Sequence, residues 1–219
     1  MIKKHKGRLG NFQYDDREFE LKGHHLRYIG AETDGSKIKI PVGITNCGCM
    51  FYNCTSLVEA PVIPAGVTNC DSMFRNCCSL IKAPVIPAGV TNCRAMFDGC
   101  SSLTEAPEIP VGVTNCFYMF YDCSSLSKAP EIPVGVTECY AMFHSCNSLS
   151  KAPEIPTEVK DCDYMFYDCS SLKNYSLDNA TYRNGIYGNC PPVIMETYRF
   201  AINFYQKDIY NVLTRKKGI

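Results

Sequence analysis

The sequence has no excess of either charge. Lys and Arg together number 22, as do Asp and Glu, so the formal net charge is zero. Nothing in that balance draws the chain toward nucleic acid or an anionic membrane. Histidine is scarce: His5, His24, His25 and His144 are the whole set, and none falls in a zinc-protease pattern. There is no phosphate-cradling glycine loop and no dinucleotide fingerprint. These absences argue against an enzyme, and no cofactor is expected. No run reaches the roughly 18 apolar residues of a membrane-spanning helix. The basic opening (Lys3, Lys4, Lys6, Arg8) leads into Gly7, Gly10, Asn11, Asp15 and Asp16 rather than the apolar core of a signal peptide. A cytoplasmic location is the expectation, with export of a mature fragment left open. The basic finish at Arg215, Lys216 and Lys217 reads, like the start, as a solvated terminus.

What the sequence has in abundance is a period. Met50-Phe51, Met73-Phe74, Met96-Phe97, Met119-Phe120, Met142-Phe143 and Met165-Phe166 recur every 23 residues. Cys47, Cys70, Cys93, Cys116, Cys139 and Cys162 precede them, and Cys54, Cys77, Cys100, Cys123, Cys146 and Cys169 follow. Leu57, Leu80, Leu103, Leu126, Leu149 and Leu172 complete the register. The apolar gaps within a unit are mostly three or four residues, which alone would read as an amphipathic helix. Each unit also carries two prolines, such as Pro84 and Pro87, and a glycine, Gly89. A proline inside a helix costs about 3 kcal/mol, so one long helix is rejected. The chain must turn once per repeat, with equivalent side chains stacked from coil to coil.

The fold expected is an α/β repeat solenoid, a right-handed stack of 23-residue coils with a parallel sheet and short helical turns. Leu80 to Ile86 should be extended, since Pro84 and Pro87 bias the residues before them away from the helical region. The Pro87 to Gly89 step turns the chain. Asn92 to Gly99 should hold a short helical or 3₁₀ turn, with Asn69, Asn92 and Asn115 placed to cap free backbone donors. Neighbouring extended segments would pair in parallel about 4.8 Å apart.

The unit C-x-x-M-F-x-x-C-x-S-L-x-x-A-P-x-I-P-x-G-V-T-x resembles the 23-residue leucine-rich repeats of bacterial BspA-like surface antigens, over about residues 37 to 178. The resemblance implies an array used for adhesion or protein recognition, and it brings no catalytic residues.

Three segments follow. Residues 1–36 read as a tip and a small β cap, in which Phe19 to Lys22 alternates as a strand and Gly30 to Gly35 turns. Residues 37–178 are the leucine-rich-repeat-like solenoid. Residues 179–219 are a C-terminal cap. Its terminal helix is expected near 193–214, where Tyr198, Ala201, Ile202, Tyr205, Ile209, Val212 and Leu213 share one side after Pro191 and Pro192. That helix could pack on the last coil, on a partner or on a second copy.

The chain holds 15 cysteines, an odd number. Their recurrent C-x₆-C spacing is not the close pairing of a zinc site, so no metal is expected. Stacked equivalents lie within disulfide distance, but their Cβ vectors run parallel, which disfavours a bond. A ladder of buried thiols is the reading preferred. Asp98, Asp122 and Asp168 read as solvent-facing or turn-capping.

Function is sought in what varies between coils. One outward column reads Val62, Val85, Glu108, Glu131, Glu154; another reads Tyr52, Arg75, Asp98, Tyr121, His144, Tyr167; a third reads Asp71, Arg94, Phe117, Tyr140, Asp163. Phe117, Tyr118, Tyr121, Tyr140, His144, Glu108 and Glu131 are therefore the candidate contacts of a non-enzymatic, protein-binding solenoid. The competing reading is that the rings cover core at the coil edge. The alternative function is a structural repeat protein that forms a homo-oligomer.

Overall fold

Two prolines and a glycine in each unit leave little room for a helix or an unbroken ladder. The computed structural model, which describes residues 7–9, 12–22, 25–173 and Ile186, shows what replaces both. The repeats form a solenoid whose coils are joined by backbone hydrogen bonds running along the stack. In the third coil the amides of Cys93, Ala95, Phe97 and Gly99 donate to the carbonyls of Asn115, Phe117, Met119 and Tyr121 in the next coil, at 3.0, 2.8, 2.9 and 2.8 Å. The alternate amides turn inward along their own coil: Met96 to Cys93, Asp98 to Ala95 and Cys100 to Phe97. Arg94 N–H donates to Asn92 Oδ1 at 3.0 Å. Every amide from residue 93 to residue 100 thus has an acceptor, as a buried backbone requires.

This pattern corrects two expectations. The Asn92–Gly99 segment is no helical turn, because half of its amides point along the stack instead of back along the chain. Ala95 at φ 48° and Gly99 at φ 74° make the difference. Both lie in the left-handed region, and both are donors to the next coil. The same two positions are left-handed in other coils, as at Ser72, Asn76, Tyr118 and Asp122. Nor do the described residues form a continuous parallel sheet: their parallel β pairing is confined to isolated bridges, Glu59 to Lys82 to Glu105 to Lys128 on one side and Asn46 through Asn69, Asn92, Asn115 and Glu138 to Asp161 on the other. The proline pair removes the donors that would widen the first ladder into strands. The asparagine expectation holds: Asn69, Asn92 and Asn115 accept from Asp71, Arg94 and Phe117 N–H.

Inside the coils the Cys, Met, Phe, Cys and Leu positions are buried, and Cys54 is the ladder cysteine left half-exposed. The phenylalanines stack face to face from Phe51 to Phe166, with centroids 5.3–5.7 Å apart. Cysteine is chosen for more than size. Phe97 C=O accepts Cys100 N–H at 3.0 Å and the Cys123 thiol at 3.1 Å. Cys77, Cys100 and Cys146 make the same thiol bond to Phe51, Phe74 and Phe120. The thiol fills the second lone pair of a buried carbonyl.

Two antiparallel hairpins precede the stack. One joins β1 (Gly7–Leu9) to β2 (Phe12–Tyr14), within the stretch expected to be a tip. The other joins β3 (Phe19–Lys22) to β4 (His25–Tyr28). Tyr28 stands one repeat length before Phe51. Its amide donates to Met50 C=O at 2.7 Å and its ring lies 5.2 Å from that of Phe51. The cap therefore extends both the hydrogen-bond ladder and the aromatic column. At the other end Phe166 N–H donates to C=O of the buried Ile186 at 2.8 Å. The C-terminal cap's helix at 193–214 lies outside the described residues.

Two expected outcomes follow from this core. Leu103, fully buried at mid-array, should cost about 2–5 kcal/mol on truncation to alanine, measured by denaturant unfolding; a loss below about 0.5 kcal/mol would place it outside the core. Burial pushes the Cys47 and Cys93 thiols up to about 12, and others such as Cys123 well up. An unfolded thiol ionises near about 8.5. The unfolded chain therefore loses protons first, and stability should be full below that pH and fall as pH rises above it. A melting temperature that is flat from pH 8 to 10.5 would contradict the thiol ladder.

Candidate functional site

Three positions flank each Met-Phe pair at the edge of the coil: one after the first cysteine, the left-handed one after it, and one after the phenylalanine; the left-handed one is buried where it is small, as at Ser72 and Ala95. In the second and third coils these are Asp71, Ser72, Arg75 and Arg94, Ala95, Asp98. They neutralise one another across coils. Arg75 Nε lies 2.9 Å from Asp98 Oδ2, and Arg94 Nη1 lies 3.8 Å from Asp71 Oδ1. Asp98 is buried, contrary to its expected solvent-facing place, because Arg75 covers it from the preceding coil. Burial raises the Asp98 carboxyl above its usual range, while Arg75 opposes the rise.

From the fourth coil the same positions turn aromatic. Phe117 stacks on Tyr140 at 4.8 Å, and Tyr118 meets Phe117, Tyr121 and Tyr140 edge-on at 4.6, 5.3 and 5.5 Å. His144 lies between Tyr121 at 4.5 Å and Tyr167 at 5.1 Å, each tilted 20° to it. Tyr164 closes the set, 5.7 Å from Tyr140 and 5.8 Å from Tyr167. Phe117, Tyr118, Tyr121, Tyr140 and His144 are thus one continuous, half-exposed face. Tyr164 and Tyr167 belong to it as well. Their signal was in the sequence: Tyr167 falls in the Tyr121 column and Tyr164 in the Tyr118 column. At the N-terminal edge, the Arg94 guanidinium sits 5.7 Å over the Phe117 ring.

Glu108 and Glu131 are not part of this face. Glu108 lines a shallow groove with Val85, Ile86, Pro107 and Val111, on the proline segment of the coil. Glu131 is its equivalent one coil on, and both are exposed. The exposed valines Val62, Val85, Val111 and Val134 lie along that same segment and its turns. Sequence variation alone joined two surfaces that the coil keeps apart.

A non-catalytic repeat scaffold is the class that this fold defines. Residues 31–138 and 97–193 match the model of the BspA type leucine rich repeat region, in six copies. The chain belongs to that family, whose general role is as a scaffold for protein–protein interaction. It is similar to a leucine rich repeat protein of T. pallidum at 25% identity and a TM-score of 0.55, covering 70% of this chain and 76% of that one. A leucine-rich repeat protein from Bacteroides ovatus ATCC 8483 gives 21% identity and 0.54, over 71% of this chain and 44% of the other. One from Eubacterium ventriosum ATCC 27560 gives 20% and 0.50, over 74% and 46%. The chain thus spans less than half of the latter two. No curated protein is matched. Among the described residues, no helix is long and apolar enough to cross a membrane.

The histidine at the centre of the face offers a direct check. Burial lowers the His144 imidazole below its ordinary range, and Asp168 and Asp122 oppose this. Its midpoint by NMR titration should fall below about 6.5, the unperturbed value. Asp122→Asn removes an opposing carboxylate and should lower it further. A midpoint above 7 would mean that the ring is not enclosed between Tyr121 and Tyr167.

Proposed function

We propose that the chain binds a partner protein through the aromatic face of its fourth to sixth coils. The observation that carries this reading is that the coil does not need the rings. Earlier coils place Asp71, Ser72, Arg75, Arg94 and Ala95 at the same positions with the same backbone. Tyr118 and Tyr164 make the point most sharply. Their φ values are 57° and 56°, a region costly for a bulky residue, where other coils use Cys49, Ser72, Ala95 or Ala141. A large ring at a strained, surface-facing position adds little to the stack. It does offer rigid contact area at low entropic cost, as interface centres do.

The test is a double substitution, Phe117→Ser with Tyr121→Ser. The variant should melt close to wild type, since polar residues occupy these positions in other coils. Affinity for a partner captured by pull-down should fall by about 2 kcal/mol or more, roughly 30-fold. A variant that unfolds readily would assign the rings to covering the core. Full-strength binding would place the docking face elsewhere. A wild-type dimer dissociated by the double substitution would favour the homo-oligomer.

A further inference from the structure

The aromatic face is bordered by acids that appear in the same coils as the rings. On one edge the column that reads Asn46, Asn69, Asn92 and Asn115 becomes Glu138 and Asp161. On the other edge the positions of Asn53 and Asn76 become Asp122 in the fourth coil. These carboxylates reach the rings electrostatically. Asp161 acts on the Tyr140 phenol, and Asp122 acts on both Tyr121 and His144. The arginines at these surface positions, Arg75 and Arg94, lie in earlier coils and are already paired with Asp98 and Asp71. The lysine beside Asp161 in the chain, Lys160, is exposed and forms no ion pair with Asp122, Glu138 or Asp161. Among the described residues, negative charge is thus concentrated around one set of half-exposed rings.

We infer that this face takes a cationic, arginine-bearing segment of a partner protein, with guanidinium groups stacked on Tyr118, Tyr140 and Tyr164 and neutralised by Asp122, Glu138 and Asp161. The inference rests on the aromatic-face reading above and names the partner's chemistry. Ring faces carry negative quadrupole charge and attract a cation within about 6 Å. Arginine suits them better than lysine because its planar, weakly hydrated group stacks. The molecule contains one such contact already, Arg94 over Phe117 at 5.7 Å. The coils beyond Phe117 offer further rings at these positions and no arginine of their own. The carboxylates supply charge complementarity that would speed docking and fix its orientation.

The experiment uses the full chain and a synthetic (Gly-Arg)₅ peptide, with (Gly-Lys)₅ and (Gly-Gln)₅ as comparisons, by calorimetry at low and moderate salt. The charge-removed variant is Asp122→Asn, Glu138→Asn and Asp161→Asn together. Each substitution installs the residue that an earlier coil carries there (Asn76, Asn115, Asn92), so the fold is kept. The arginine peptide should bind more tightly than the lysine peptide, weaken with salt, and bind at least about tenfold more weakly to the triple variant. The glutamine peptide should not bind. No binding of the arginine peptide, or equal binding by the triple variant, would overturn the inference. So would self-association of the chain that the triple variant abolishes, because a second copy would then occupy the face. A captured partner lost by the Phe117→Ser, Tyr121→Ser variant but held by the triple variant would overturn the cationic chemistry and leave the aromatic face standing. A peptide held at full strength by a Tyr118→Ser, Tyr164→Ser variant, which places at both positions the residue that the second coil carries as Ser72, would remove the aromatic face itself.

Discussion

Along the turn segment of each coil, alternate amides leave their own chain and bond to the coil beyond. In the fourth coil Cys116, Tyr118, Phe120 and Asp122 donate to Glu138, Tyr140, Met142 and His144 at 2.8–3.0 Å. A buried amide without an acceptor costs about 1–3 kcal/mol, so these bonds fix the register of one coil on the next. The left-handed residues, the position of the phenylalanine column and the choice of cysteine all follow. A left-handed non-glycine residue costs roughly 1–2 kcal/mol. From Cys49 to Ser145, each such residue sits where its amide reaches the neighbouring coil. No coil can satisfy its own backbone, which is why the cap must present Tyr28 N–H to Met50 and why Ile186 C=O meets Phe166.

The period, the core columns and the β3 strand were legible because they depend on side-chain chemistry repeated in register. The turn conformation was not. Apolar gaps of three and four residues describe a helix and this chain of tight turns equally well. A clue lay in one column, Asn53, Asn76, Gly99 and Asp122, all residue types that tolerate positive φ. The companion column hid the same geometry behind Cys49, Ala95 and Tyr118, types with no such preference. The thiol's role was equally hidden. Size and polarity explain a buried cysteine, but only the geometry places Cys123 against the carbonyl of Phe97.

Comparing coils separated what the stack needs from what it tolerates, and the aromatic residues it singled out lie in mutual contact. It failed where a column spans two environments. Asp98 shares its column with Tyr121 and His144, yet Arg75 of the coil before it covers the carboxylate and buries it. Glu108 varies as freely as the rings do, but it faces a proline-lined groove. Variation marks a position as free of the coil's demands. Geometry decides which free positions can act together, and here it joins rings from three successive coils into one face.

Residue-resolved hydrogen exchange on the intact chain tests the central claim most directly. If backbone bonds along the stack hold the array together, the amides of Cys70, Ser72, Phe74 and Asn76, and their equivalents through Asp122, should exchange slowly and with a common opening free energy. Thr55-like loop amides should exchange faster. Exchange of the stack-directed amides within minutes at neutral pH, or two blocks of coils opening with separate free energies, would contradict the account.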